Sequence, residues 1–142
     1  MYSQKTLEIF KKPTNYGTIK GASGVGKVRN KETGDLTKIY IKVENDIIEE
    51  ATFQTFGGVV SIAAASVAAS LIQGKTTFTA EKYEERDILL VLGSVDENKM
   101  YGVELAVDAI IAAVANYRKK NGIVVTSRAN TRKLKNDAET EQ

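Results

Sequence analysis

Cysteine and histidine are both absent from the 142-residue sequence. The lack of thiols excludes disulfides, thiolate metal sites and cysteine nucleophiles from this chain. The lack of imidazole removes the commonest general base and the commonest nitrogen ligand of metal ions. The double absence therefore restricts the chemistry of the chain before any motif is considered.

Strong net charge and long apolar runs are also lacking. The net charge of +2 is too small to indicate a nucleic-acid partner. The N-terminus, MYSQKTLEIFKK, has neither a long apolar core nor a small-residue cleavage site, so it does not resemble a signal peptide. The most apolar run, residues 59–72, is too short and too rich in alanine to span a bilayer. We expect a soluble cytoplasmic protein with no membrane and no nucleic-acid partner.

The composition fits one globular domain. Hydrophobic residues make up 42% of the chain, which is enough to form a single core without covalent cross-links. The hydrophobic pattern fades beyond Gly122. We therefore predict a domain over residues 1–120 and a polar, flexible C-terminal tail over residues 121–142.

The N-terminal half predicts one helix and three strands. Ser3 is suited to cap a helix over residues 3–11, which Pro13 then stops. Strands are predicted where polar and apolar residues alternate: 24–29, 36–43 and 47–56. The last two are joined by a turn at Asn45 and Asp46, and this arrangement is typical of an antiparallel hairpin.

The C-terminal half predicts helices. Residues 59–73 form an uncharged, buried helix, and residues 79–91 form a connector that is helical from Glu81 and presents a solvated charged face. Ser94 and Glu97 have the spacing of a capping box before a last helix over residues 98–119. Strands in a run followed by helices in a run predict an α+β domain: a three-stranded antiparallel sheet with helices packed on one face.

The stretch GASGVGKV, residues 21–28, is close to the phosphate-binding pattern G-x-x-x-x-G-K-[ST]. Val28, however, stands where a hydroxyl should bind magnesium. A phosphate loop also leaves a strand and enters a helix, whereas this stretch leads into turn-forming residues. We interpret it as a glycine-rich entry into the first strand.

Five blocks of sequence, taken in order, resemble the NifU/IscU-type scaffolds of iron–sulfur cluster assembly. The blocks are YSQKTLEIFKKPTNYG, GVGKVRNKETGD, IYIKV, ATFQTFGG and KMYGVELAVDAI. They extend from about residue 2 to residue 118 with spacing similar to that of the family. The resemblance implies the same α+β fold that the hydrophobic pattern predicts.

The resemblance also implies where the family binds its cluster, with three cysteines helped by an aspartate and a histidine. The family positions fall on Thr33, Asp35, Gly58, Tyr101 and Gly102, and only Asp35 keeps the family residue. Iron–sulfur clusters need thiolates and structural zinc needs about four ligands. We therefore expect no cluster, no zinc and no other cofactor. Asp35 itself is interpreted as a turn residue closing on backbone amides, or alternatively as a partner for a basic group.

The resemblance implies a partner as well, a cysteine desulfurase, which is a pyridoxal-phosphate enzyme that supplies persulfide sulfur. Family docking uses the N-terminal segment and the rim of the cluster site. The chaperone-binding stretch of the family keeps only its lysine here. The predicted partner-binding residues are Tyr2, Ser3, Lys5, Gly57, Gly58 and Lys99.

Three functions remain open on the sequence alone. The favoured one is a non-catalytic protein that docks to a desulfurase-like enzyme without accepting sulfur, with homo-oligomerisation left open. The second is an enzyme or carrier that uses Asp35, Lys99 and Tyr101 around the old cluster pocket. The third is nucleic-acid binding by the basic tail, which the absence of interleaved aromatic residues disfavours.

Overall fold

The computed structural model describes residues 1–125, so the segment 126–142 of the predicted tail lies outside the described residues. The described part has the predicted α+β order. Its strands are Gly24–Arg29 (β1), Leu36–Glu44 (β2) and Ile47–Phe56 (β3). Its helices are Gln4–Lys11 (α1), Val59–Ile72 (α2), Thr77–Ala80 (α3), Glu85–Leu92 (α4) and Met100–Lys120 (α5). A 3-10 turn, Glu97–Lys99, comes directly before α5.

Local sequence signals determine where α1 begins and where the chain turns between β2 and β3. The hydroxyl of Ser3 accepts a hydrogen bond from the backbone N–H of Thr6, 3.0 Å away, and so caps α1. Asn45 and Asp46 have φ angles of 51° and 62°, the left-handed values that a two-residue hairpin turn requires. The turn between β2 and β3 therefore forms where the sequence predicted it.

The three strands form one antiparallel sheet in the order β1-β2-β3. Ile39 of β2 lies opposite Gly26 of β1 and opposite Phe53 of β3. Both Ile39 and Phe53 are fully buried on the face that α2 and α5 cover. Lys42 and Glu50 lie on the outward positions and are exposed. One face is thus packed and the other is polar, as the alternation predicted.

Helix α5 is the central helix of the core. Glu97–Lys120 is long and apolar enough to cross a membrane by length and composition alone. In this fold, however, 72% of its most apolar window is buried. The predicted stripe residues Val103, Val107 and Val114 are all fully buried. The apolar surface of α5 is therefore covered by the domain itself.

Two glycines of the GASGVGKV stretch allow β1 to lie directly against α5. A Cβ atom at Gly26 would be 2.2 Å from the carbonyl oxygen of Ala109, and one at Gly24 would be 2.4 Å from that of Ala113. In addition, the backbone N–H of Val25 donates to Oδ1 of Asn116 at 2.9 Å. These glycines serve strand–helix packing, which accounts for the pattern without a phosphate.

The connector between α2 and α5 differs from the prediction. The predicted single helix from Glu81 is instead two short helices, α3 and α4, and Glu81 ends the first of them. The capping contact is made before α4, where the backbone N–H of Glu84 donates to the Asp87 carboxylate at 2.7 Å. The predicted Ser94–Glu97 box was wrong, since the 3-10 turn before α5 begins after Asp96 without a side-chain cap.

The charged connector also contains a buried ion pair. The Arg118 guanidinium donates to both carboxylate oxygens of Glu81, at 2.6 and 3.3 Å. Each side chain is only 4% exposed. The guanidinium also lies over the ring of Phe78, 4.8 Å from its centroid. The expectation that the connector charges form a solvated face is therefore wrong for Glu81. Its ion pair with Arg118 links the end of α3 to the last turn of α5.

Candidate functional site at the start of helix α2

Asp35 directly precedes β2, and its carboxylate faces the first turn of α2. Oδ2 accepts a hydrogen bond from the Ser61 hydroxyl at 2.7 Å and a longer one from the Gly58 N–H at 3.4 Å. Asp35 is 9% exposed. The first N–H groups of a helix lack partners and carry partial positive charge, so a carboxylate at this position stabilises the helix. Gly58, the N-cap of α2, has no side chain for this purpose, and Asp35 supplies the missing acceptor.

Thr33 belongs to the turn before Asp35 and is exposed. Its hydroxyl accepts a hydrogen bond from the Asp35 N–H at 3.2 Å. Asn30 closes the same turn, because its side-chain oxygen accepts from the N–H groups of Glu32 and Thr33 at 3.0 and 2.9 Å. The turn role assigned to Asp35 is thus performed by Asn30, and the Asp35 carboxylate points to α2 instead.

The glycines of the site differ in the space around them. A Cβ atom at Gly57 would be 2.3 Å from Oδ2 of Asp35. One at Gly102 would be 2.7 Å from the Ser61 hydroxyl and 2.9 Å from the Ser61 backbone nitrogen. One at Gly58 would meet no atom within 4 Å. Gly102 therefore marks a close approach of α5 to α2, whereas Gly58 opens onto free space.

The structure thus brings three of the five family ligand positions together. Asp35 and Gly102 both contact Ser61, and the Gly58 N–H faces the Asp35 carboxylate. Tyr101 is half-buried and packs against the core. The sequence analysis missed Ser61, whose only signal was a hydroxyl in the first turn of an uncharged helix. Within residues 1–125, no three carboxylate side chains converge as a metal site would require.

The predicted docking residues of the N-terminus lie beside the loop that leads to Lys99. The terminal amine forms an ion pair with Asp96 at 2.5 Å. The Ser3 hydroxyl donates to the backbone oxygen of Leu92, so it already has an internal partner. Tyr2 is 37% exposed, and Lys5 is exposed on α1. The N-terminal segment is therefore bonded to residues 92–96, shortly before Lys99 and Tyr101.

Phe56 is an exposed aromatic residue that the sequence analysis missed. It ends β3, directly before the Gly57–Gly58 turn, and is 71% exposed. Its outward position could have been read from the alternation of β3, in which Phe53 faces the core. Phe56 gives the rim of the site a large apolar contact surface.

Tyr40 on β2 lies on the sheet, away from this cluster, and has a displaced pKa. Burial raises the pKa of its phenol, and the positive charge of Lys27 opposes part of that rise. The hydroxyl donates to Oε1 of Gln54 on the neighbouring strand at 2.8 Å. This displacement is explained by packing between β2 and β3.

The sequence matches a known domain family over almost all of the described residues. The match is to the NifU-like N-terminal domain and covers residues 1–124. The chain belongs to this family. Two proteins named iron–sulfur cluster assembly scaffold protein IscU, both from Archaeoglobus fulgidus, are 43% identical to it over 122 residues. Each alignment spans 86% of this chain and 80% of the relative.

Solved structures agree on the fold. The N-terminal part of a nitrogen-fixing NifU-like protein from Brucella abortus superposes with a TM-score of 0.67 at 17% identity, over 83% of this chain and 94% of that one. A protein from Fervidobacterium islandicum gives a TM-score of 0.68 at 22% identity, over 80% of this chain and 96% of that one. The NifU-like assignment and the three-stranded α+β fold predicted from the sequence are both confirmed.

Proposed function

We propose that this NifU-like domain is a non-catalytic, scaffold-like protein that has lost its cluster ligands and acts as a binding or regulatory partner of a cysteine desulfurase-like enzyme in the cytoplasm. One observation carries the proposal. The family sequence is retained through residue 124, while the positions that would bind a cluster carry neither thiol nor imidazole.

The packing at the ligand positions supports the loss of cluster binding. The Asp35 carboxylate is engaged with Ser61 and Gly58. At Gly102, a side chain would collide with the backbone of α2. The space that the third cysteine would need is therefore filled by a helix–helix contact, so the departure from the family extends to packing as well as to ligand identity.

The rim of the same site supports docking. Phe56, Gly57 and Gly58 offer an exposed aromatic ring beside an open backbone turn. Tyr2, Ser3 and Lys5 lie near the loop before Lys99. A standard protein–protein interface buries roughly 1,200–2,000 Å², and exposed aromatic residues commonly contribute the largest share of its affinity. We assign Phe56 and Tyr2 as the main apolar contacts of this surface.

The first test concerns the cluster. After anaerobic incubation with iron and sulfide, we expect the purified protein to remain colourless and to retain far less than about one iron per chain, because thiolate ligands are absent. Elemental analysis and an absorption spectrum provide the measurement. Stoichiometric iron or zinc that is lost in the Asp35→Ala variant would contradict the proposal.

The second test concerns docking. Calorimetric titration with a desulfurase from the same source should give a saturable complex. We expect Phe56→Ala and Tyr2→Ala each to weaken it by about tenfold or more, as is typical of central interface residues. Ile47→Ala is the matched control, since Ile47 is an exposed apolar residue at the opposite end of β3, roughly 30 Å from Phe56. No binding at tens of micromolar, or equal effects of all three variants, would defeat the assignment.

A further inference from the structure

A groove with a volume of about 260 Å³ lies between α1 and α2, apart from the Asp35–Ser61 cluster. Its volume is slightly below the range of about 300–1,000 Å³ that is typical of small-molecule sites. The lining residues come from α1, α2, the end of α4 and the loop after α1. They are Lys5, Ile9, Lys12, Thr14, Ser66, Val67, Ser70, Leu71 and Val91.

The walls of the groove are apolar. Ile9, Val67, Leu71 and Val91 supply aliphatic surface from three helices. Val67 is only 5% exposed and belongs to the core cluster, against which Ile9 and Leu71 pack. The groove is therefore backed by the rigid core and is suited to an aliphatic group.

The two serine hydroxyls of the groove, those of Ser66 and Ser70, already have partners within the protein. The Ser66 hydroxyl donates to the backbone oxygen of Thr14 at 3.3 Å. The Ser70 hydroxyl lies 3.1 Å from the side-chain amide of Asn15. These contacts hold the loop after α1 against α2 and leave the apolar wall as the main surface open to a ligand.

The rim of the groove is cationic. Lys5 and Ile9 are four residues apart and share one side of α1, and Lys12, the residue that directly follows α1, lines the same groove. Both lysines are exposed, and neither has a carboxylate within 4.0 Å among the described ion pairs. Glu8, the carboxylate on α1, accepts a hydrogen bond from Gln4. Two ammonium groups without an acidic partner thus border an apolar wall.

We propose that this groove binds a small amphiphilic carboxylate with a medium-length aliphatic chain. The chain would lie against Ile9, Val67, Leu71 and Val91, where its burial removes apolar surface from water. The carboxylate would lie between Lys5 and Lys12, since charge-assisted hydrogen bonds are the stronger ones. An inorganic anion would leave the apolar wall uncovered, and a neutral lipid would leave the two lysines unpaired.

Octanoate is the probe that tests the proposal, with methyl-detected NMR of the isolated protein as the readout. We expect saturable shifts confined to the methyl groups of Ile9, Val67, Leu71 and Val91. The Lys5→Gln/Lys12→Gln double variant should bind about tenfold more weakly or worse. Lys42→Gln is the matched control because Lys42 is an exposed lysine on the sheet, and it should bind as the parent does.

Two further ligands separate charge from apolar contact. Octanol should bind about tenfold more weakly than octanoate, and acetate should give no saturable shift. Val91→Glu adds a negative charge at a position that is 36% exposed, so it should fold and should lose octanoate binding. Equal affinity for octanol and octanoate, unchanged binding in the double lysine variant, or shifts spread over other methyl groups would each overturn the proposal. None of these outcomes depends on docking to a desulfurase.

Discussion

Replacing Glu81 with Gln should lower the free energy of unfolding by about 3–5 kcal/mol, because it leaves the buried Arg118 guanidinium without its carboxylate partner. Both side chains are 4% exposed, so water cannot replace the lost interaction. Urea denaturation followed by circular dichroism measures the change. The lost interaction is the one that holds α3 against the C-terminal end of α5.

Two control variants sharpen this result. Arg86 pairs with Glu84 at 3.5 Å on the surface, where its side chain is 82% exposed, so Arg86→Gln should cost less than about 1 kcal/mol. The double variant Glu81→Gln/Arg118→Met should recover part of the loss, since it removes both buried charges. A cost below about 1 kcal/mol for Glu81→Gln would mean that the pair is not buried as described.

Gly26→Ala should be comparably damaging, for a reason that concerns shape rather than charge. The added methyl group would lie 2.2 Å from the Ala109 carbonyl oxygen and 2.5 Å from the Ala113 nitrogen. Both are backbone atoms of α5, so the helix has to move away from β1. Overpacking of this kind costs about 1–3 kcal/mol and occasionally more, and we expect the upper end because no flexible side chain can yield.

Gly58→Ala is the matched control for Gly26→Ala, because a Cβ atom at Gly58 meets nothing within 4 Å. It should change the free energy of unfolding by less than about 1 kcal/mol, the scale of an N-cap change from glycine to alanine. Thermal and urea melting of both variants would decide the matter. Equal stability of the two would contradict the close contact between β1 and α5.

The regular elements were predictable because their signals are local. The alternation in β2 and β3 encodes which face is buried, and the left-handed turn at Asn45 and Asp46 needs residues that tolerate positive φ. The stripe from Val103 to Val114 in α5 follows the helical period. In each case the residues that carry the signal are within a few positions of one another.

The contacts that were missed join residues far apart in the chain. Glu81 and Arg118 are 37 positions apart, and nothing in the charged connector separates a buried glutamate from a solvated one. Gly26 fits the phosphate-loop pattern, but the presence of a glycine indicates only that another group lies close to the backbone and does not identify that group. In this fold the neighbour is α5.

The sequence predicted which residues lie in the candidate site, but it predicted only part of the contacts between them. The family resemblance selected Asp35, Gly58 and Gly102, which do lie together. It gave no indication that the Asp35 carboxylate accepts a hydrogen bond from Ser61 in the first turn of α2. That contact depends on where α2 begins relative to β2. The exposure of Phe56 likewise follows from its place at the end of a strand rather than from its residue type.

We propose that this chain docks to a desulfurase without receiving sulfur from it. The most direct measurement incubates the chain with a desulfurase from the same source and radiolabelled cysteine. The mixture is then examined by size exclusion and, on the denatured chains, by non-reducing electrophoresis. Persulfide transfer needs an acceptor thiolate, and this sequence has none. We expect the two proteins to co-elute, with the label on the desulfurase alone. Covalent label on this chain, or the absence of any complex, would contradict it.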